Sequence, residues 1–292
     1  MNVPGFRGIP PRVVVWQALK DFVDDDMFTY AAALTFHVFF ALFPFILFLI
    51  ALLGFLRLPG FFEWLLVQAR LFLPAEALVA VETVIREVRT KSGGGVMSLG
   101  ILVSIWAASA GIRSTMNALN VAYHVKEGRA LWKIYLVSLA YTVGLAVMVV
   151  AAVGLMLLGE GAIRWVAGHL GLRETTIALW SWLRVPAAVM ILMLAISLVY
   201  YVAPNVKQDF RYVTPGAVLA VLLWAGVSVA FGYYVSNFAD YGATYGSIGT
   251  VIVLMLYIYV TALAFLLGGE VNSVIEEHVP EAEGPKEPAP QG

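Results

Sequence analysis

The sequence predicts an all-α integral membrane protein, built as a six-helix transmembrane bundle with extra amphipathic helices at the membrane surface. Of its 292 residues, 61% are hydrophobic and 13% are charged, whereas a soluble domain is roughly 45–50% apolar and about 25% charged. The apolar residues also form long continuous runs instead of the alternating pattern of outer-membrane barrel strands. Because lipid offers the backbone no hydrogen bonds, such runs favour helices.

Six apolar runs approach or exceed the length of about 20 residues that a helix needs to cross a bilayer. They lie at about 29–56, 96–112, 131–158, 179–203, 213–235 and 247–267. Together they define a predicted membrane domain over residues 29–275. Amphipathic surface helices are predicted within residues 1–28, 57–94 and 159–178. Residues 276–292 are rich in Pro, Glu and Gly and are predicted to form a disordered tail.

The distribution of positive charge predicts the orientation of the chain. Six spans place both termini on one side of the membrane, and cytoplasmic loops are richer in Lys and Arg. The short loop 204–212 contains Lys207 and Arg211, whereas the short loop 237–246 contains neither residue type. We therefore expect a multi-pass membrane protein with both termini in the cytoplasm. No cleavable signal-peptide pattern is recognisable, so the first span is expected to direct insertion.

The stretch "TFHVFFALFPF" (35–45) places a histidine and a proline inside the first apolar run. His37 shares a helix face with the small residues Ala33 and Ala41 and is expected to face the bundle. Pro44 is expected to bend the helix. One interpretation is a polar, bent point in a transport path. The other is a neutral histidine bonded to a neighbouring helix beside a structural kink.

Polar residues form a stripe at helical spacing around the end of the second run. The stripe is roughly 22 Å long at a rise of 1.5 Å per residue. Its members are Ser109, Arg113, Asn117, Asn120 and His124. The stripe is interpreted either as the wall of a water-filled cavity open to the cytoplasm, with Arg113 facing an anionic group, or as the wet face of a helix that leaves the membrane near Ile112.

The last run ends in "LLGGEVNSVIEEH" (266–278). Gly268 and Gly269 predict close helix packing, and Glu270 and Asn272 are expected at the cytoplasmic boundary. Glu270 is expected to pair with Arg113. Upstream, "YYVAPN" (200–205) predicts a tight cytoplasmic hairpin. The glycine-rich "ADYGATYGSIGT" (239–250) predicts either a tight outer turn or a broken, re-entrant element at a gate.

Four segments resemble the YihY/BrkB family of bacterial inner-membrane proteins, formerly labelled ribonuclease BN. They are "YAAALTFHVFFALFPFILFLI", "MNALNVAY", "YYVAPN" and "YGSIGTVIVLMLYIYVTALAFLLGGEVN". The resemblance implies a multi-pass protein of the bacterial cytoplasmic (inner) membrane, with six helices and both termini in the cytoplasm. Other members of the family are linked to virulence. His37 departs from the family pattern. The residues that match family motifs, expected to be structural, are Tyr200, Tyr201, Pro204, Asn205, Tyr245, Gly246, Gly249, Gly268 and Gly269.

No pattern in the sequence predicts catalysis. The chain has no cysteine, no P-loop and no HExxH motif, so we expect no enzyme activity, metal, cofactor or nucleic-acid partner. The leading hypothesis is a transporter or exporter of an unknown small or lipid-like substrate, without its own ATPase, whose partners are that substrate and the lipid bilayer. The alternative is a non-catalytic scaffold or regulatory protein of the cell envelope. The candidate path residues are His37, Pro44, Ser109, Arg113, Asn117, Asn120, Glu270 and Asn272. The oligomeric state is not predicted.

Overall fold

A computed structural model describes residues 9–55, 94–157, 174–206, 208, 212–238 and 241–278. In these parts of the chain all regular secondary structure is helical. The helices are α1 (Pro11–Asp24), α2 (Met27–Phe55), α3 (Gly94–Ala122), α4 (Leu131–Leu157), α5 (Glu174–Val202), α6 (Pro215–Phe238) and α7 (Tyr241–Glu277).

Four of the described helices contain segments that are long and apolar enough to cross a membrane. These segments are Leu131–Val149 on α4, Trp182–Val202 on α5, Pro215–Val235 on α6 and Val251–Glu277 on α7. A shorter apolar segment, Met27–Ala41, lies on α2. The protein is therefore an α-helical membrane protein, and the count of six spans remains a prediction.

Two helices extend well beyond the apolar runs that predicted them. α3 continues past residue 112 to Ala122, and α7 runs from Tyr241 to Glu277 instead of 247–267. The expected outer turn is therefore helical from Tyr241 onward. A hydropathy pattern ends where polar residues begin, but a helix continues as long as its backbone hydrogen bonds are made. The surface helices expected within 57–94 and 159–178, and the tail beyond residue 278, lie largely or wholly outside the described residues.

α1 begins with Pro11, a residue suited to the first turn of a helix. Its buried residues Val14 and Ala18 pack against Val274 and its neighbours near the end of α7. The opposite side exposes large apolar side chains, since Trp16 is 75% exposed and Val23 is 61% exposed. α1 thus buries one face on the bundle and leaves a second apolar face exposed, and its position at the membrane surface remains a prediction.

The buried side chains of the described residues concentrate at one end of the bundle. This end, called the α1 end below, contains α1, the starts of α2, α4 and α6, and the ends of α3, α5 and α7. α7 is central there because it contacts α1, α2, α3 and α6. Away from this end α4, α5 and α6 expose large apolar residues such as Val147, Trp182 and Val229. Apolar surface of this extent is typical of contact with lipid.

Glycines allow α6 and α7 to approach closely at the α1 end. A Cβ added at Gly216 would collide with the Gly268 carbonyl and lie 2.7 Å from the Asn272 side chain. A Cβ added at Gly269 would lie 2.6 Å from a methyl group of Leu119 on α3. A Cβ added at Gly268 would lie 2.5 Å from the Gly216 carbonyl oxygen. Larger residues at Gly268 or Gly269 would therefore push the neighbouring helices away from α7.

Candidate functional site

A narrow cleft opens at the α1 end, where α5, α6 and α7 meet the loop after α3. Its cavity volume is about 30 Å³, enough for a water-sized group. Most of the lining side chains are polar, in contrast to the apolar faces of the same helices farther away. They are Tyr123, Ser197, Tyr200, Tyr201, Gln208, Thr214, Pro215, Asn272, Ile275 and Glu276.

Asn272 of α7 holds the start of α6 at one side of this cleft. Its Oδ1 accepts a hydrogen bond from the Gly216 amide at 2.9 Å, and its Nδ2 donates to Thr214 Oγ1 at 2.9 Å. Thr214 Oγ1 also accepts the Ala217 amide at 3.2 Å, and the Thr214 amide donates to Ser197 Oγ at 3.3 Å. The free amides of the first turn of α6 are therefore satisfied by side chains from three elements.

Tyr200 fixes the end of α5 against α7. It is 1% exposed, its hydroxyl donates to the Phe265 carbonyl, and the two rings lie 4.9 Å apart between centroids. Gln208 then closes the helix, because its Nε2 donates to the carbonyls of Tyr200 at 2.7 Å and Tyr201 at 2.9 Å. These contacts make the motif tyrosine Tyr200 part of the packed wall of the cleft.

An ion pair in the loop after α3 caps the same end of α5. Arg129 donates to Glu127 from Nε and Nη2, both at 2.8 Å, in a bidentate arrangement. Its Nη1 and Nη2 also donate to the carbonyls of Val202 at 3.1 Å and Ala203 at 2.7 Å. Burial alone would raise the pKa of Glu127, but the hydrogen bonds from Arg129 and Asn120 outweigh it and hold this pKa below its ordinary value.

Asn120 and Asn205 join this ion pair to the "YYVAPN" segment. Asn120 Nδ2 donates to Glu127 at 3.0 Å, and its Oδ1 accepts the Asn205 amide at 2.7 Å. Asn205 Nδ2 in turn donates to the Lys126 carbonyl at 3.2 Å. Asn205 and its neighbour Pro204 are both buried. The two loops are thus tied together by buried amide side chains.

The polar stripe predicted along α3 does not form one continuous wall. Ser109 is buried and accepts a hydrogen bond from Arg113 Nη1 at 2.7 Å, and the same nitrogen donates to Ser138 Oγ of α4 at 3.3 Å. Asn117 is exposed. Asn120 belongs to the loop network. The helix ends before His124, so the helical spacing on which the stripe was predicted ends with it.

The expected pair between Arg113 and Glu270 is not found. The Arg113 guanidinium lies over the ring of Tyr135, 4.5 Å from its centroid, while both Glu270 carboxyl oxygens have no hydrogen-bond partner in the described part of the structure. Leu119 of α3 meets α7 at Gly269. Arg113 lies six positions earlier, on a face rotated by about 120°, and therefore points toward α4.

His124 joins three elements at the outer surface of the α1 end. It follows α3 with a left-handed φ of 52°, and its Nδ1 lies 2.9 Å from Glu277 Oε1 at the end of α7. Its Nε2 lies 3.2 Å from Asp25 Oδ2 in the corner between α1 and α2. The hydrogen bond to Glu277 raises the pKa of His124, and the charges of Asp25, Glu277 and Asp21 add to this, although burial opposes it. Burial raises the pKa of Asp25 more than His124 lowers it.

The remaining predicted residues lie away from the cleft. His37 is partly buried and faces α3, since a Cβ added at Gly111 would lie 3.9 Å from the His37 Cβ. Gly249 is buried on α7. Pro44, Tyr245 and Gly246 are described only at the level of the backbone, which is helical at all three positions.

Several residues of the cleft and of its supports are not evident from the sequence. Thr214 before Pro215 is a recognisable helix start, so its role as the cap of α6 can be predicted from the sequence. Nothing in the sequence marks Ser197 as the acceptor for the Thr214 amide, 17 residues later, or Gln208 as the group that closes α5. Tyr123 ends the segment "MNALNVAY", but the sequence does not place it in a cleft. Within the described residues, no group of three His, Cys, Asp or Glu side chains is arranged to hold a metal ion.

The long apolar helices, their lipid-type surfaces and the polar junction at one end define an α-helical integral membrane protein. The chain belongs to the family described as Virulence factor BrkB, whose profile matches residues 18–292. This result confirms the resemblance seen in the motifs.

Some relatives are named as membrane proteins and one is named as a ribonuclease-like protein. The Putative ribonuclease-like protein YfkH of Bacillus subtilis (strain 168) is 34% identical over 247 residues, which cover 85% of this chain and 89% of that protein. A UPF0761 membrane protein of Xanthomonas campestris pv. campestris (strain B100) is 28% identical over 265 residues, covering 87% of this chain and 58% of that protein. A UPF0761 membrane protein of Xanthomonas axonopodis pv. citri (strain 306) is also 28% identical, with 59% of its length covered. This chain therefore spans less than two thirds of the Xanthomonas proteins. No solved structure matches the chain.

Proposed function

We propose that the chain is a multi-pass transporter or exporter of the bacterial cytoplasmic membrane, without its own ATPase and with both termini in the cytoplasm. The observation that supports this proposal is the polar cleft at the α1 end of an otherwise apolar bundle. Glu270, buried on another face of α7, is a second ionisable group at this end. Polar and ionisable groups inside a membrane protein are costly and often mark the path of a substrate or ion. In this proposal the α1 end faces the cytoplasm.

The cleft is too small for a substrate, so it corresponds to a closed state that opens during transport. Its walls are the ends of α5 and α7 and the start of α6, joined by side-chain hydrogen bonds from Asn272 and Ser197. Such caps are exchangeable with water when helices shift, whereas the hydrogen bonds inside each helix are not disturbed. A movement of α7 relative to α5 and α6 would therefore open the cleft without unfolding any helix.

The chemistry of the cleft favours a substrate with a hydrogen-bonding head. Hydroxyl and amide groups of Ser197, Thr214, Gln208 and Asn272 line it, and these groups both donate and accept. The adjoining helix surfaces are apolar and exposed, for example at Val229, which is 76% exposed. A lipid-like molecule would place its head in the cleft and its chain along such a surface.

Transport is proposed here in preference to RNA cleavage. The word ribonuclease occurs in the name of the Bacillus subtilis relative, and it describes that protein alone. Purified protein that cleaves RNA under stringent nuclease controls, with activity that follows the protein through each purification step, would overturn this choice.

Reconstitution tests the proposal. The full chain is placed in liposomes of phosphatidylethanolamine and phosphatidylglycerol that carry two probes, a trapped fluorescent organic anion and a phospholipid with a fluorescent head group. We expect faster movement of at least one probe than in protein-free liposomes. Ser197→Leu, which fills the cleft, should slow that movement, while Val229→Leu on the exposed apolar face should not.

The opposite result supports the alternative function. If folded protein moves neither probe, the transport proposal fails for both substrate classes. The uncovered apolar face of α1, which includes Trp16 and Val23, then favours a scaffold that contacts lipid or partner proteins.

A further inference from the structure

Glu270 is a buried acid without a partner. It is 0% exposed, and neither carboxyl oxygen has a hydrogen-bond partner in the described residues. An ionised carboxylate in such a place would lose its hydration without compensation, which costs far more than burying the neutral acid. Even the neutral acid is expensive here, because its O–H is buried without an acceptor. A leucine at this position would fill the same space without this cost, so packing alone does not explain a glutamate here.

The surroundings of Glu270 are apolar on its own helix face. Leu266, one turn before it, packs in a cluster with Phe22 and Met27 at the junction of α1 and α2. Val274, one turn after it, packs against Val14 of α1. Residues four apart share a helix face, so the Glu270 side chain lies between these two clusters, beneath α1 and the corner that follows it.

The ionisable groups near Glu270 come from α1, the corner after it, the end of α3, α5 and α7. The negative charges of Asp21 on α1, Asp25 in the corner and Glu277 on α7 act on its carboxyl. Tyr123, just after α3, has a buried phenol within electrostatic range of Glu270 and Glu276. The next residue, His124, is paired with Asp25 and Glu277. From α5, Tyr200 packs on the neighbouring Gly269.

This environment suits a proton better than a metal ion. A metal cation such as Ca²⁺ or Mg²⁺ requires about six oxygen ligands, whereas the Glu270 carboxyl lies between two apolar clusters. A proton requires one carboxylate oxygen and no further ligand.

The His124 cluster closes the surface above Glu270. His124 binds Glu277, two turns after Glu270 on α7, and Asp25, in the corner that covers the Glu270 face. The imidazole is half exposed, with 50% of its side-chain surface open to solvent, whereas Asp25 is 16% exposed. The packing of Phe22 and Met27 against Leu266 would remain if these two contacts broke, but the corner would be loosened on the side that faces water.

We infer that Glu270 is a proton-binding site and that the Asp25–His124–Glu277 cluster is the gate that controls its access to water. When the gate opens, the Glu270 carboxylate takes a proton from hydronium, and water is left; release is the reverse. The charged carboxylate needs hydration, so release requires an open gate. This inference deepens the proposed function, on which its role as the coupling site rests, because it names the proton as the coupling ion.

Infrared difference spectroscopy on the purified full chain tests proton binding without requiring transport. We expect the wild type to show the C=O stretch of a buried protonated carboxylic acid, and we expect this band to disappear as pH is raised. Glu270→Gln, a neutral change of nearly the same shape, should remove the band. The surface variant Asp24→Asn should keep it. If Glu270→Gln does not fold, a shift of the wild-type band on ¹³C labelling of glutamate replaces it.

Exchange into D₂O tests the gate. The band should shift on exchange, and His124→Gln should make that shift roughly three- to tenfold faster, as expected for the loss of two partly exposed charge contacts. His278→Gln, one residue after Glu277, is the matched control and should leave the rate unchanged. An equal rate in the wild type and in His124→Gln would overturn the gate.

The infrared band of Glu270 tests this inference separately from the transport proposal. A missing wild-type band, a band that survives in Glu270→Gln, or a band that neither titrates nor exchanges would overturn the proton site, even if a probe is transported. A band that titrates and is lost in Glu270→Gln supports the proton site, even if neither liposome probe moves.

Discussion

Asn272 on α7 and Thr214 at the start of α6 are joined by a hydrogen bond of 2.9 Å from Nδ2 to Oγ1. The same asparagine accepts the Gly216 amide at 2.9 Å. One side chain near the end of the last helix therefore caps another helix and forms part of the cleft wall. Its removal affects both the stability of the bundle and the shape of the cleft.

Asn272→Ala should destabilise the protein by about 2–3 kcal/mol, because a helix cap is lost and the buried Gly216 amide is left without an acceptor. Thermal unfolding in detergent, followed by tryptophan fluorescence, measures this loss. Asn117→Ala removes an exposed amide from α3 and should change stability by less than about 0.5 kcal/mol. Equal effects of the two substitutions would argue against the cap.

Gly216→Ala should destabilise the contact between α6 and α7 by about 1–3 kcal/mol or more, since the new methyl group collides with the Gly268 carbonyl and Asn272. Gly226 lies on the same helix, and a Cβ added there meets nothing within 4 Å. Gly226→Ala should be neutral or stabilising by up to about 1 kcal/mol. Unfolding of the two variants side by side gives the comparison, and a harmless Gly216→Ala would contradict the close approach.

Arg129→Lys should cost roughly 1–3 kcal/mol, because lysine cannot reproduce the bidentate contact with Glu127 while also binding two carbonyls of α5. Lys126→Ala is the control in the same loop, since it is the backbone carbonyl of Lys126, and not its side chain, that binds Asn205.

The contribution of Glu127 to the stability of the fold is present above its ordinary pKa of 4.5 and is lost as pH falls through its lower folded value. Acid titration of unfolding should therefore show a smaller loss of stability in Arg129→Lys than in the wild type.

The His124 cluster should make stability depend on pH in the opposite direction. The raised pKa of His124 means that its contribution is fully present below the ordinary value of 6.5 and is lost as pH rises through the higher folded value. The raised pKa of Asp25 acts in the same direction, because its charged form is disfavoured in the fold. Unfolding midpoints measured from pH 5 to about 8 should fall more steeply in the wild type than in His124→Gln. Parallel profiles would exclude the cluster as the cause.

The sequence predicted the helices well where apolar runs define them. The run at about 131–158 corresponds to Leu131–Leu157, because length and hydropathy alone determine such a segment. It also predicted the use of Gly268 and Gly269 in packing. The apolar runs do not mark where α3 and α7 end, because both helices continue through polar residues such as Asn120 and Asn272.

The partners of polar residues were beyond prediction from the sequence. Helical spacing gives the face of Arg113 but not the neighbouring helix, and its partners are Ser109 and Ser138 instead of Glu270. Asn120 and Asn205 lie 85 residues apart along the chain. Such contacts depend on how helices are arranged around one another, which local periodicity does not determine.

The central claim is that the polar cleft at the α1 end opens to the cytoplasm during transport. Ser197→Cys tests it most directly, since Ser197 is 0% exposed at the cleft wall and the chain contains no other cysteine. Val229→Cys, on the exposed apolar face, is the control. The account predicts that a membrane-impermeant thiol reagent labels Ser197→Cys from the cytoplasmic side only and leaves Val229→Cys unlabelled. Labelling of Ser197→Cys from the outer side alone, or from neither side, would contradict the account.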